Sequence, residues 1–395
     1  MPALHPPVKV LVTGANGFVG HWVVHLLLQA GYAVRATVRT SEKARILTAR
    51  IATQYPSELS ADGAFECVVV PDITEEGAFD EYLVGVEGVV HTATPVTFDL
   101  DDPAEYIGPA VKGTLGILHS AAKHTSVKRI VITSSISAVA DIVRPPSQTV
   151  VRTEDDWNDD SVKIVAKIGY AATGIDKYST SKVKSERAAW KFYEENRHTL
   201  SYDLSVVAPA WIFGPLQDDP SSPAGITSVS MQLAWTQMFS VPAPPAAFPS
   251  DIFNYVDIRD VAEMHMRVLN TEDAGGKRFL ASAGACSFQD WYDAANTLGD
   301  GRLLGLQKLH PPRAPRPEGE EEDVPAHTVF SGKRAERELG FVYTPLAETV
   351  RDVVEDFDGR GWLKHLETLR VALSVVPVIR EAPANMYFTQ MAGAA

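Results

Sequence analysis

Val8 to Val12 is a short apolar run that stops at Thr13-Gly14. From Gly17 to Ala30 the apolar spacing changes: Val19, Trp22, Val23, Leu26 and Leu27 recur at the three-and-four interval of one helix face. Gly31 marks the end of that helix, and Ala33 to Val38 returns to a short apolar run. Residues 8–38 therefore predict strand, glycine turn, helix, strand.

The alternation continues. Phe65 to Val70, Val86 to His91, Arg129 to Thr133 and Leu204 to Ala208 read as strands. Ala110 to His124 and the long stretch Tyr178 to Asn196 read as helices. Short apolar strands alternating with helices predict an α/β fold, a doubly wound parallel sheet covered on both faces. After Pro209 the texture changes. Residues 215–249 are rich in Pro, Ser and Ala and predict a lid or wall rather than sheet. Pro311 to Asp323 reads as a polar surface loop, a last helical region starts at Lys333, and the tail past Pro383 reads as loosely held. The expected division is a nucleotide-binding domain over residues 1–208, with 251–281 returning to it. A smaller substrate-binding region covers 209–250 and 282–383, and a tail covers 384–395.

Composition narrows the function. The chain has 395 residues and a formal net charge of -14. That balance argues against a nucleic-acid partner, which needs clustered Lys and Arg. Met1 to Lys9 carries prolines and no long apolar run, so no secretory leader is expected. Val371 to Ile379, the longest late apolar stretch, is far short of the ~20 residues that span a bilayer. Cys67 and Cys286 have no metal-ligand spacing and read as reduced core thiols, which fits a cytoplasmic setting. Nothing in the sequence chooses between a monomer and a homodimer.

The first turn reads Thr13-Gly14-Ala15-Asn16-Gly17-Phe18-Val19-Gly20. Gly14 suits the tight turn, Gly17 the close approach of a pyrophosphate, and Gly20 the packing of helix on strand. The helix N-terminus then offers N–H groups and a favourable dipole to phosphate. The strand–turn–helix context is what gives a glycine triplet its meaning. The second strand ends in Val38-Arg39-Thr40-Ser41, where an NAD site usually carries Asp or Glu. A guanidinium at Arg39, with Lys43 nearby, suits a 2′-phosphate, so NADP(H) is expected over NAD(H). Asp72, beside Ile73, suits an adenine amino group and equally a turn or helix cap. Thr92, Ala93 and Thr94 follow the fourth strand, where small residues let a dinucleotide lie across the sheet edge.

Tyr178 and Lys182 stand four apart on a helix, so their side chains share one face. A nearby ammonium is expected to lower the phenol pKa and make the tyrosine a proton shuttle. Lys182 also suits the nicotinamide ribose. Ser134 and Ser135 follow Thr133 at the carboxyl end of a parallel strand, where ligands bind. Either hydroxyl can polarise a substrate carbonyl, and spacing does not choose between them.

These residues resemble the extended short-chain dehydrogenase/reductases of Rossmann-type fold, and within them the dihydroflavonol reductase branch with its fungal aldehyde and methylglyoxal reductases. The resemblance runs from Val8 to Phe357 and rests on VTGANGFVG, ATVR, VVHTATP, AVKGTLGIL, RIVITSSISAV, KYSTSKVKSERAAWKFYEEN, YVDIRDVA and RELGFVYTPL. It implies that Ser135 is the catalytic serine and that Tyr178 protonates a carbonyl oxygen while NADPH gives hydride. It implies cofactor contacts at Thr133, Pro209 and Ile212. It implies a substrate wall at Trp211 and Phe213, for which core packing is the alternative, and structural roles for Asp257 and Asp260. The expected partner is a small carbonyl compound. A nucleotide-sugar epimerase or dehydratase is the alternative within the fold. Dehydratases of this kind usually carry Asp-Glu after the strand-end hydroxyl, whereas Ile136-Ser137 stands here. A non-catalytic NADP(H)-sensing regulator is the alternative from another class, although such proteins tend to lose the tyrosine or the lysine. The stretch from Trp157 to Tyr178, the Pro-rich insertion and the tail past Trp362 depart from the family pattern, so substrate identity is not legible.

Overall fold

The structure, a computed structural model, describes residues 3–55, 63–94, 100–142, 144–239, 252–298 and 325–364. Strands β1 (Lys9–Thr13), β2 (Ala33–Val38), β3 (Phe65–Val69), β4 (Gly88–His91), β5 (Arg129–Thr133), β6 (Val150–Arg152), β7 (Asp203–Pro209), β8 (Trp211–Phe213), β9 (Ile252–Asp257), β10 (Arg278–Ala281), β11 (Gly284–Ser287) and β12 (Thr328–Phe330) follow in chain order. Seven of them form one sheet in the order β10-β7-β5-β4-β1-β2-β3, with every pairing parallel. The strand order reverses between β1 and β4, which is where an open α/β sheet leaves a crevice at its carboxyl edge. This is the doubly wound, Rossmann-like sheet expected from the alternation.

The helices are α1 (Phe18–Gln29), α2 (Ser41–Gln54), α3 (Pro103–Ala122), α4 (Asp159–Ile168), α5 (Gly174–Asn196), α6 (Val229–Phe239), α7 (Ile258–Asn270) and α8 (Phe288–Thr297); α1, α2, α3, α5 and α7 contribute to the cores on the two faces of the sheet. Strand alternation divides the apolar side chains between the two faces. Val10 and Val12 of β1 pack with Val23, Leu27 and Val261 on one face, and Leu11 packs with Ile117 and Leu204 on the other. α3 and α5 start earlier than their periodicity predicts. α3 begins at Pro103, capped by Asp102, and runs through Pro109. α5 begins at Gly174, capped by Thr173, so Tyr178 lies in its second turn. A cap, rather than the first apolar position, decides where each helix starts.

Beyond Pro209 the chain builds a second, smaller sheet. β9 does not return to the main sheet; it pairs with β8 and β11 in a separate three-stranded sheet. The chain rejoins the nucleotide side only at α7, which packs on α1, and at β10. The late helix Lys333–Leu339 also packs on that side, through Ala335 and Leu339. The insertion holds α6, whose Met231, Ala234, Met238 and Phe239 meet Trp291, Phe357 and Phe213 in a second core. Residues 240–249 of the insertion lie outside the described residues. The polar loop 311–323, the apolar stretch 371–379 and the tail lie outside the described residues.

Buried aspartates fix the framework. Arg129 is completely buried and donates to both carboxylate oxygens of Asp203 at 2.7 and 2.8 Å, and to carbonyls of Val268 and Glu272. Asp257 caps α7 and accepts from Arg259 and Thr349, while Asp260 accepts from Thr344. Both aspartates hold structure, as the family pattern implied. Cys67 is half-buried, Cys286 is buried, and neither forms a disulfide.

Candidate active site

At the reversal point between β1 and β4 lies a cavity of about 520 Å³. Its floor is the glycine turn. Gly14 has φ +65°, a conformation that favours glycine. A Cβ on Gly20 would stand 2.3 Å from the Gly14 carbonyl oxygen, so only hydrogen fits where α1 crosses β1. Asn16, Gly17, Phe18 and Val19 line the same floor. Gly17 is the N-cap of α1, no side chain caps that end, and the first turn holds no acidic residue. The first-turn N–H groups therefore face the cavity edge in the arrangement that receives a phosphate.

The strand ends supply the middle of the cavity. Thr92, Thr94 and Thr133 line it. Thr13 and Ala93 stand behind this surface: the Thr13 hydroxyl oxygen accepts from the Ala93 N–H at 3.1 Å and bonds to His91 Nδ1 at 2.9 Å. Burial drives the His91 imidazole down to about 3, with the Lys182 charge acting in the same direction. Thr133 bonds to His265 Nε2 at 2.7 Å, and His265 Nδ1 bonds to the Val261 carbonyl. That carbonyl can only accept, so His265 is protonated on Nδ1 and the Thr133 hydroxyl donates to Nε2.

Tyr178 and Lys182 both line the cavity, with Lys182 Nζ 5.7 Å from the centre of the Tyr178 ring and 3.4 Å from Thr94 Oγ1. Tyr178 shares a hydrogen bond with Ser135, which also lines the cavity. The neighbouring Ser134 also borders the cavity but is buried, and its hydroxyl donates to Glu186 at 2.5 Å. Tertiary structure thus separates two serines that sequence spacing left equivalent.

The phenol is not lowered as the Tyr–Lys spacing alone suggests. Burial pushes Tyr178 up to about 12, against the opposing Ser135 hydrogen bond. Burial also lowers Lys182 to about 8, opposed by the Glu186 carboxylate. Removal from water outweighs the local pairing at both groups. Near neutral pH the pair is then a neutral phenol beside a mostly protonated amine, which is the state needed to give a proton.

The adenine end is more open. Lys43 lines the cavity, whereas Arg39 is exposed just outside it, its charge felt by Asp72. Asp72 closes a turn by accepting from the backbone N–H and hydroxyl of Thr74 at 2.8 Å each. Ile73 lies against Gly113 of α3, where an added Cβ would come 2.7 Å from Ile73 Cδ1, and is not part of the cavity surface. On the opposite wall stand Pro209, Trp211 and Ile212. Phe213 is a correction: it is fully buried, edge-on to Trp291 at 4.6 Å, and belongs to the core. Trp211 and Phe213 share one face of β8, but Phe213 is enclosed by Phe253 and Trp291, whereas Trp211 and Ile212 are half-buried and keep surface on the cavity.

Residues without a sequence signal complete the wall: Ile142, Ile175 and the run Thr227 to Ser230. The last spans the entry into α6 inside the Pro-rich insertion, where composition does not mark which positions face inward. Among the described residues no helix is long and apolar enough to cross a membrane, and no His, Cys, Asp and Glu group is arranged to hold a metal.

Comparison with known proteins agrees with this geometry. The model of the NAD dependent epimerase/dehydratase family matches residues 10–281. The NADPH-dependent methylglyoxal reductase GRE2 of Saccharomyces cerevisiae is 31% identical over 89% of this chain and 99% of its own. Cinnamoyl-CoA reductase CAD2 of Medicago truncatula is 34% identical over 88% of this chain and 94% of its own. The crystal structure of yeast Gre2 complexed with NADPH superposes with a TM-score of 0.73 at 30% identity, covering 89% of this chain and all of that one. The chain belongs to the NAD dependent epimerase/dehydratase family of extended short-chain dehydrogenase/reductases, close to the fungal NADPH-dependent aldehyde reductases.

Proposed function

We propose that this protein is an NADPH-dependent reductase of aldehydes or ketones. The observation that carries the reading is the Ser135–Tyr178 hydrogen bond, made beside Lys182 in the cavity floored by the glycine turn. The cradle fits a dinucleotide: a phosphate seats on the uncapped end of α1, and the threonines at 92, 94 and 133 flank the path toward Tyr178. Arg39 and Lys43 supply positive charge for a 2′-phosphate at the adenine end. Yeast GRE2, similar to this chain at 31% identity, carries an NADPH-dependent methylglyoxal reductase name, and its crystal structure is complexed with NADPH.

A bound dihydronicotinamide supplies hydride to the substrate carbon. The chain's own residues do the rest. Ser135 donates to the carbonyl oxygen and stabilises charge as it develops. Tyr178 gives its phenolic proton to the same oxygen. Lys182 lowers the energy of the phenolate left behind and, lining the same cavity, would hold the nicotinamide ribose of a bound cofactor. Trp211, Ile142 and Ile175 form an apolar surface for the substituent on the carbonyl. We assign residues 1–208 and 258–281 to the nucleotide side and the second core to the substrate side.

The test is NADPH consumption across aldehydes, ketones and β-ketoesters, with NADH as control. Turnover with NADPH supports the reading. No oxidation across the panel sinks it, and cofactor that stays bound through purification and turnover favours an epimerase instead.

A further inference from the structure

Glu186 lies one helical turn beyond Lys182 on α5, on the same face. It is 1% exposed and does not line the cavity. Its two oxygens accept from three donors: the Ser134 hydroxyl, the Trp190 indole N–H at 3.1 Å and a terminal nitrogen of Arg278 at 3.0 Å; Arg278 Nε stands 2.7 Å away in the ion pair. Arg278 comes from β10, is itself 4% exposed, donates to the carbonyls of Glu154 and Asp156, and stacks on Trp157 at 4.2 Å. Nothing in the reductase mechanism uses these groups, yet they sit directly behind Ser135 and Lys182. A buried ion pair is a poor device for stability, because desolvation offsets most of the attraction. Here it places one carboxylate between two buried cations.

We propose that Glu186 and Arg278 are positioning residues, an ion pair that sets how much positive charge Lys182 presents to Tyr178 and that anchors the Ser134–Ser135 strand end. Without Arg278, the carboxylate would answer Lys182 more fully. Without Glu186, the lysine would face a second cation with nothing between. The other charged groups around Lys182 are few. From β4 it is faced by His91, and on α5 by Tyr178. The charged side chains of α3, Glu105, Lys112 and His119, are exposed. On α4, Lys163 and Lys167 are exposed, and Asp159 pairs with Arg187.

The inference rests on the reductase reading, and the two fail separately. The first readout needs no turnover: the full chain, labelled with 13C at lysine Cε, is titrated by NMR, and Lys182 is assigned from a Lys182→Met variant. The second is the alkaline limb of kcat/KM for NADPH-dependent reduction. Glu186→Gln is expected to move both midpoints to lower pH and Arg278→Met to higher pH, each by about one pH unit. Arg278→Lys, which keeps the charge, leaves them near the wild-type value. If a single variant does not fold, the Glu186→Gln/Arg278→Met double variant decides, because removing both charges together should restore the wild-type midpoint. Midpoints that stay put, or that move the same way in both single variants, overturn the inference. Absence of reductase activity with the expected lysine shifts would overturn the functional reading instead.

Discussion

Ser134 and Ser135 are neighbours at the end of β5, yet the first donates a hydrogen bond to buried Glu186 while the second meets Tyr178 in the cavity. An extended strand end turns consecutive side chains to opposite sides. The two positions therefore carry different duties, and they answer differently to the same substitution. Ser135→Ala is expected to lower kcat about 100-fold by removing a donor to the developing oxyanion. Ser134→Ala should keep most turnover and lose about 1–3 kcal/mol of stability by stripping a donor from a buried carboxylate. Parallel kinetics and urea denaturation separate the two; equal kinetic losses would reverse the assignment.

Tyr178→Phe removes one oxygen and leaves the glycine turn intact. NADPH binding, read by calorimetry, should stay within a few-fold of wild type, while turnover drops about 100- to 10,000-fold. A variant that turns over normally would remove Tyr178 as the proton donor.

The pH dependence follows from Lys182. With its amine lowered to about 8 and the Tyr178 phenol raised to about 12, reduction uses the protonated form of both groups. Reduction is then full below pH 8 and declines as pH rises through the lysine value. Oxidation of the product alcohol by NADP⁺ needs the Tyr178 phenolate to accept a proton, so it should rise with pH toward the phenol value. Initial rates in both directions between pH 6 and about pH 10 test this, and parallel profiles would contradict it.

Arg39 is exposed and outside the cavity surface, so its charge can be reversed with little cost to folding. Arg39→Glu is expected to reduce the preference for NADPH over NADH by about 10-fold or more, through loss of a charge-assisted contact to the 2′-phosphate. The ratio of kcat/KM for the two coenzymes reads it directly. An unchanged ratio would leave Lys43 as the discriminating group.

The framework pair is open to a stability test. Arg129→Met takes away the guanidinium that donates to both oxygens of buried Asp203, and should cost about 3–5 kcal/mol. Gly275→Ala strikes the same pair from the other side, since its Cβ would stand 2.0 Å from Asp203 Oδ2. Both should lower the thermal midpoint while the assembled site of any folded fraction keeps its activity.

The periodicity of short apolar strands and amphipathic helices was enough to determine the parallel sheet, because strand and helix each impose a repeat that is local. The glycine spacing and the Tyr178–Lys182 interval were legible for the same reason: each is a relation between residues a few positions apart. What needed the tertiary structure were relations between distant segments. Only packing shows that Ser135 rather than Ser134 meets Tyr178, that Phe213 is enclosed in the core while Trp211 keeps surface on the cavity, and that residues 227–230 close its wall. It also reversed the expected effect on the phenol, because desolvation depends on everything that surrounds a side chain, and no neighbour in sequence reports it.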